Sequence, residues 1–336
     1  MSLFKRTLST ALLTLLTAVV CVAQVATPAP DAQFGTGWKP DPEAVKRVVA
    51  AQPPFIAKQI GSLAAAADND DALVYRFLAK ALNKAKIDPL DQKDLGSCVG
   101  FATAHATEIV AAADIVHRLE REEFKFRASG GGNYALSRTH SKQLGSWEGS
   151  SGAWAVEAMQ QWGTLWQGVY ASVDLSRYDI PTVRRWQERG VPNEIIEAAK
   201  LHPARGCALL KDVRELKAIL QNGYTSLSCA SQTFASRRDS MGFSRGTIPG
   251  WNHAMAIVAY RGPESGKEGF LVMNSWRPDW ISGPEWPEDQ PYGSFWADVQ
   301  DMQKRLDQGD TWAVGGINGF PKREMEWLEA LSVGGK

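Results

Sequence analysis

The chain has 336 residues, 44% of them hydrophobic, which is enough for one large domain or for two lobes with appendages. Its 37 Lys+Arg balance its 37 Asp+Glu, so composition leaves no basic face along which a nucleic acid could run, and no nucleic-acid partner is expected. Thirteen Trp and thirty Gly point to loops and short strands around aromatic clusters, since they fall mostly after residue 130 in segments broken by Pro and Gly.

At the N-terminus, Lys5 and Arg6 precede an apolar run from Leu8 to about Val22 and then small residues, the pattern of a secretory signal, residues 1–23, cleaved after Ala23. An uncleaved anchor needs about 20 apolar residues; this run is shorter and interrupted by Thr and Ser. Lipid attachment at Cys21 is disfavoured by the bulky Val19 and Val20. A secreted or periplasmic protein is expected, with no stable membrane association after cleavage. It would keep Cys98, Cys207 and Cys229, an odd number that leaves at least one thiol over if the others pair in an oxidising compartment.

Residues 24–88 are Ala- and Pro-rich and suggest two helices, Asp41 to Ala51 and Asp71 to Lys86, the second with acids in its first turn and Lys84 and Lys86 in its last. A pro-segment, a spacer and an N-terminal elaboration of the domain all fit. After Cys98, apolar positions recur every three or four residues to Leu119, predicting a helix with one buried face to about Arg121 and Cys98 in its first turn. The run Gly130–Gly131–Gly132 lacks the preceding strand of a dinucleotide site and reads as a flexible connection. Helices are expected at Ser151 to Trp162, Pro192 to Lys200 and Leu210 to Gln221. "TSLSCAS", "HAMAIVAY", "GFLVMNSW" and "WAVGGINGF" then read as strands of a largely antiparallel sheet. Helices first and strands later make an α+β, two-lobe pattern.

"GPESGK", Gly262 to Lys267, is one residue short of a phosphate loop and lies between two strands, so it reads as a hairpin loop. No His-Glu-x-x-His or paired Cys-x-x-Cys calls for zinc, and no cofactor is implied. His105 lies two helical turns, about 10 Å, from Cys98 and cannot be its base; His117, His140 and His202 read as solvated. His253 instead opens an apolar strand whose neighbour ends at Asn274. Adjacent antiparallel strands would bring the two together, and an Asn carbonyl accepting from one ring nitrogen would leave the other facing a thiol. Each residue alone is equally well read as a buried Cys, an edge His and a turn Asn.

These motifs resemble those of the papain-like cysteine peptidases. "GSCVGFA" is similar to that family's Gly-Ser-Cys-Trp-Ala-Phe-Ala motif, "NHAMAIVAY" to its Asp/Asn-His-Ala strand and "FLVMNSW" to its Asn-Ser-Trp strand. The resemblance places Cys98 on the nucleophile, His253 on the base and Asn274 on the residue that orients it. The family also carries a Gln six positions before the Cys, as an oxyanion donor, and position 92 here is Gln92. The resemblance implies a papain-like two-lobe fold over 89–322, a helical lobe followed by an antiparallel β-barrel-like lobe with the cleft between, and a tail at 323–336. It further implies a Cys98 thiolate with a pKa between about 3.5 and 7.5, and a monomer acting on a peptide or protein substrate.

Ser150 and Ser151 stand on the substrate-pairing loop where the family usually has two Gly, Val99 replaces the Trp after the nucleophile, and Arg277 replaces the Gly after Asn-Ser-Trp; together these point to an unusual substrate. Trp276 falls on the substrate side of the site, where it would shield the His253–Asn274 contact, or is an ordinary core aromatic. A papain-fold binding protein without turnover, and an amidase or acyl transferase using the same residues, are the alternatives to a peptidase. Cys207 and Cys229 flank a helix-strand unit and could form a disulfide, unless Cys229 is simply buried.

Overall fold

The computed structural model describes residues 36–117, 122–171, 173–317 and 319–320. The expected leader 1–23 and tail 323–336 lie outside the described residues. Helix α1 (Pro42–Ala51) starts where Asp41 accepts the Ala44 N–H at 2.9 Å and Pro42 presets the first turn. Helix α2 (Pro54–Ala66) was not legible as a helix, and α3 (Tyr75–Ala81) is shorter than the stretch expected from Asp71 to Lys86. Residues 71–74 are drawn away from helix because Ala72 exchanges two 2.9 Å backbone hydrogen bonds with Tyr260, while Asp71 accepts from the Gly262 N–H and the Ser265 hydroxyl.

Helix α4 (Cys98–Val116) is the axis of the first lobe. Every residue from Cys98 to Ile115 is buried, so it has no solvent face, where one buried stripe was expected. It is long and apolar enough to cross a membrane, but it is enclosed by the protein itself. Most of its buried polar side chains find partners at this depth, His105 Nδ1 excepted. His105 Nε2 accepts the Leu90 N–H at 2.8 Å, Glu108 takes both Arg127 Nε and Nη2 at 2.7 Å, and Thr225 donates to the Ala106 carbonyl at 2.9 Å.

The glycine run at 130–132 is not a flexible connection. It forms the first turn of α5 (Gly130–His140), capped by Ser129, whose hydroxyl accepts the Gly132 N–H at 3.2 Å. Small residues are needed there because α4 and α5 touch backbone to backbone: a Cβ on Gly100 would lie 2.4 Å from Gly130 O and from Tyr134, and one on Gly130 would lie 2.6 Å from the Phe101 ring. Helix α6 (Gly152–Gln161) follows. The hairpin of β1 (Val169–Tyr170) with β2 (Val173–Asp174) and helices α7 (Ile180–Arg189) and α8 (Asn193–Ala199) close a satellite core around Leu136, Trp186 and Ile195.

The second lobe is one antiparallel sheet of β3 (Cys207–Leu209), β4 (Thr225–Phe234), β5 (Gly246–Arg261), β6 (Gly269–Met273), β7 (Phe295–Asp298) and β8 (Thr311–Val314), in the order β3-β8-β4-β5-β6-β7. The sheet stays open at β3 and β7, so the barrel-like lobe of the expectation is not a closed barrel. Helices α9 (Val213–Gln221) and α10 (Val299–Leu306) complete it.

The sheet order also corrects the disulfide expectation. Cys207 and Cys229 are both free, buried thiols. Strand β8 lies between theirs, and Cys207 and Thr225 both pair with Val314, so Cys229 is two strand spacings across, about 10 Å, and four residues further along. A bridge tolerates a Cα separation of only about 7 Å.

The Gly100→Ala substitution should test the α4–α5 contact. Alanine favours helix by up to about 1 kcal/mol, but the overpacked methyl is expected to lower stability by about 1–3 kcal/mol, read as a lower denaturant midpoint. An unchanged midpoint would show that the two helices can part.

Candidate active site

Cys98 opens α4, directly after Ser97, whose hydroxyl lies 3.1 Å from the Tyr178 hydroxyl. The helix N-terminus therefore points its free N–H groups toward the sulfur, an arrangement that favours an anion. The sulfur also accepts the N–H of Ala254 at 3.4 Å, and the backbone amides of Gly37 and Val99 act on it in the same sense. Ala254 follows His253 on β5, so one hydrogen bond ties the nucleophile's helix to the strand that carries the imidazole.

Pairing of β5 with β6 brings His253 and Asn274 together. His253 Nε2 donates to Asn274 Oδ1 at 2.8 Å, and the same oxygen accepts the Ser275 N–H at 2.8 Å, which fixes the amide's orientation. His253 Nδ1 is left buried without a protein partner. Ala256 pairs with Met273, and continuing that register places Trp276 opposite His253. The Trp276 ring accordingly stacks on the imidazole at 4.7 Å and 30°. It is 1% exposed, so it shields His253 and offers no surface to a ligand. Gln92 is locked to the same corner: its N–H donates to the Ser275 carbonyl at 2.8 Å, its Oε1 accepts the Ser275 hydroxyl at 2.6 Å, and its Nε2 donates to Leu95 O at 3.0 Å.

Residues 36–39, ahead of α1, lie across this site. Ser150 donates to Gly37 O and accepts from Lys39 N, both at 2.8 Å, and Trp38 N donates to Asn252 O at 2.9 Å. The Trp38 indole is buried against the carboxylate of Asp310, Nε1 to Oδ2 2.7 Å. That carboxylate also accepts from Trp312 Nε1 at 2.6 Å, Gly152 N at 2.9 Å and the Ser151 hydroxyl at 3.3 Å. The crossing is close: a Cβ on Gly37 would lie 2.0 Å from Gly96 O. Ser150 thus meets an extended backbone, whereas Ser151 belongs to the Asp310 cluster. Gly37, Trp38 and Asp310 had not been singled out in the sequence. "GTGWKP" carries a hint, a glycine beside a tryptophan ahead of a helix, but Asp310 carries none.

The crossing segment seals Cys98 and His253 from water, and both are completely buried. Burial pushes the Cys98 thiol up to about 11, against the opposing pull of the amides, and pushes His253 down to about 3. In this closed form burial therefore drives both groups toward their neutral forms, the opposite direction from the depressed thiol pKa expected from the sequence. The helix dipole stabilises a charge by about 0.3–1 kcal/mol when exposed, less than the several kcal/mol it takes to desolvate an ion.

Trp38→Ala should therefore speed iodoacetamide labelling of Cys98 at pH 7 by at least about tenfold, because truncating a buried Trp typically costs about 3–5 kcal/mol. Equal rates in the two proteins would mean that residues 36–39 do not control access.

No protein-family model matches the chain, and no curated protein matches it by sequence. Among solved structures, it is similar to xylellain, a cysteine protease from Xylella fastidiosa, with a TM-score of 0.56 and 17% identity over 85% of this chain and 97% of that one. It is also similar to procathepsin B S9 from Trypanosoma congolense, with a TM-score of 0.51 and 12% identity over 84% of this chain and 87% of that one. With the helical lobe, the antiparallel sheet and the site between them, these likenesses show that the chain has the papain-like fold.

Proposed function

We propose that the protein is an exported cysteine-type hydrolase, a peptidase, held latent by its own residues 36–39. The observation that carries the reading is the His253–Asn274 hydrogen bond at 2.8 Å: it spends Nε2 on the amide and leaves Nδ1 buried without a protein partner, on the residue next to the Ala254 N–H that touches the Cys98 sulfur.

Once the crossing segment leaves, water reaches the pair and the thiol proton passes to His253, giving a thiolate beside an imidazolium. Cys98 Sγ attacks a substrate carbonyl carbon, and the carbonyl π electrons move to oxygen. Gln92 Nε2 and the Cys98 N–H would donate to that oxyanion. His253 gives its proton to the leaving amine as the C–N bond breaks, leaving a thioester. It then takes a proton from water, whose attack releases the acid and the thiol. Asn274 keeps the ring in the useful tautomer throughout.

Residues 36–39 also suggest where substrate lies. They use the backbone groups of Ser150 and Asn252 that an extended peptide would use, but the amide they present to Cys98 is a donor N–H from Gly37 rather than an electrophilic carbon. This accounts for blockade without cleavage. The place that Trp38 takes, against Asp310, would suit a long side chain tipped with an N–H donor: Trp, Arg or Lys ahead of Leu. As for the releasable part of the N-terminus, Val74, Tyr75, Leu78 and Ile87 are buried core residues and Ala72 is paired to β5. The segment that leaves would end before Ala72 and not at residue 88.

Asn274→Ala is expected to lower kcat with little change in KM, and Gln92→Ala to lower kcat by about 100-fold if it is one oxyanion donor. A peptide library should show the Trp, Arg and Lys preference at the position of Trp38, and Asp310→Asn should weaken Arg and Lys most. If Cys98 is reactive yet no peptide is cleaved, the same chemistry belongs to a different acyl substrate. If Cys98 is unreactive in an opened, folded chain, the hydrolase reading fails.

A further inference from the structure

Among the buried groups that this mechanism does not use is a guanidinium bonded to the strand that carries His253. Arg305, in the last turn of α10, is completely buried. Its Nε donates to the Ser228 hydroxyl at 2.8 Å, and its Nη2 donates to the Ser228 carbonyl at 2.6 Å and to the His253 carbonyl at 3.0 Å. All three acceptors are neutral. Within the described residues it makes no ion pair, unlike the buried Arg238, which has Glu285 at 3.3 Å. An unpaired buried cation is costly, and a neutral donor could have served the same acceptors.

We infer that Arg305 is a positioning residue for the Cys98–His253 pair: it holds β5 by the His253 carbonyl and supplies a fixed positive charge behind the pair that favours the thiolate. The inference rests on the hydrolase reading above. Its charge acts on Cys98, on Cys229 of β4 and on His253, and in each case it favours the form with one proton fewer. One carboxylate works in the opposite sense, Asp310 beside Cys229. On the elements packed against α10, the charged groups are Arg214, Glu215 and Lys217 of α9 and Asp298 of β7. With Asp301 and Lys304 on α10 itself, which pair with each other at 2.9 Å, they complete the set. All of them except Asp301 are at least partly exposed, where solvent screens them. Among the described residues, Arg305 is the guanidinium whose charge acts on both members of the pair in the closed site.

The sign follows from the charge. Removing a fixed cation makes it harder to take a proton off the thiol and easier to put one on the ring, so both titrations move to higher pH. The test uses the full chain carrying Trp38→Ala, which opens the site, and reads the iodoacetamide rate at Cys98 against pH. Adding Arg305→Met, of similar length and without charge, should move the acid limb up by about one pH unit, whereas Arg305→Lys, which keeps the charge, should leave it in place. Apolar replacements of buried ions are often neutral or stabilising, so the Met variant is expected to fold; if it does not, Arg305→Gln gives the same neutral comparison. An acid limb unmoved by Met or Gln, with Cys98 still labelled ahead of Cys207 and Cys229, overturns the role of Arg305 and leaves the hydrolase standing. A limb moved as far by Lys as by Met also overturns it, because geometry and not charge would then be responsible. Loss of preferential Cys98 labelling before any change at Arg305 is the distinct failure of the hydrolase reading, and the inference falls with it.

Discussion

A helix with no solvent face governs this molecule. Because α4 is enclosed along Cys98–Ile115, its position is set on every side at once: by α5 through the backbone contact at Gly100 and Gly130, by Arg127 on Glu108, and by Thr225 of β4 on the Ala106 carbonyl. Interiors packed this densely transmit displacement instead of absorbing it. The sulfur at the first position of the helix inherits that precision and meets the Ala254 N–H on the opposite lobe. The imidazole needs no separate device, since the same strand that satisfies the sulfur carries His253 one residue earlier, and the β5–β6 register then delivers Trp276 over its face.

Desolvation is the second determinant, and it opposes what the helix terminus favours. In the closed cleft the largest influence on both Cys98 and His253 is burial, and it drives each toward its neutral form. The backbone amides around the sulfur pull the other way and lose. On the proposed reading, latency would be steric and electrostatic together: residues 36–39 would occupy the ground an acyl group needs, and their burial of the cleft would keep the thiol from ionising. Residues 36–39 are anchored by Trp38 on a buried carboxylate with three other donors, Ser151, Gly152 and Trp312.

What could be read from the sequence was what local chemistry encodes. The family resemblance marked Cys98, His253 and Asn274 in short motifs at a helix start and two strand ends, and Gln92 by its distance before Cys98, while the strands near 225, 253 and 270 announce themselves by composition. Long-range pairing was not legible. Residues 71–74 have helix-like chemistry but are claimed by Tyr260, nearly two hundred positions away. The three glycines at 130–132 look like a hinge and are a helix start, because only the fold reveals that Phe101, Tyr178 and Val183 crowd them. The Cys207–Cys229 bridge seemed reasonable until β8, from the far end of the chain, proved to lie between the two strands. Trp38, Asp310 and Arg305 act through partners 272, 158 and 52 residues away, and no spacing rule reaches that far.

The proton balance of opening limits what can trigger it. The closed pair holds one exchangeable proton, on the thiol; the open pair, on the proposed reading, also holds one, on the ring. Opening thus moves a proton between two side chains and exchanges none with solvent, so by linkage the pair contributes no pH dependence to opening between the acid and alkaline limits of the open pair. Asp310 does contribute. Burial raises its carboxyl in the closed form, and a group with a raised pKa stabilises the state that raises it at low pH and loses that contribution as pH climbs through the raised value. The Trp38 N–H pulls the same carboxyl the other way, so that contact itself favours the ionised carboxylate. On the proposed reading, release would come from removal or displacement of the chain ahead of Ala72, and a cut in the short path from Gly37 to α1 would free the cleft.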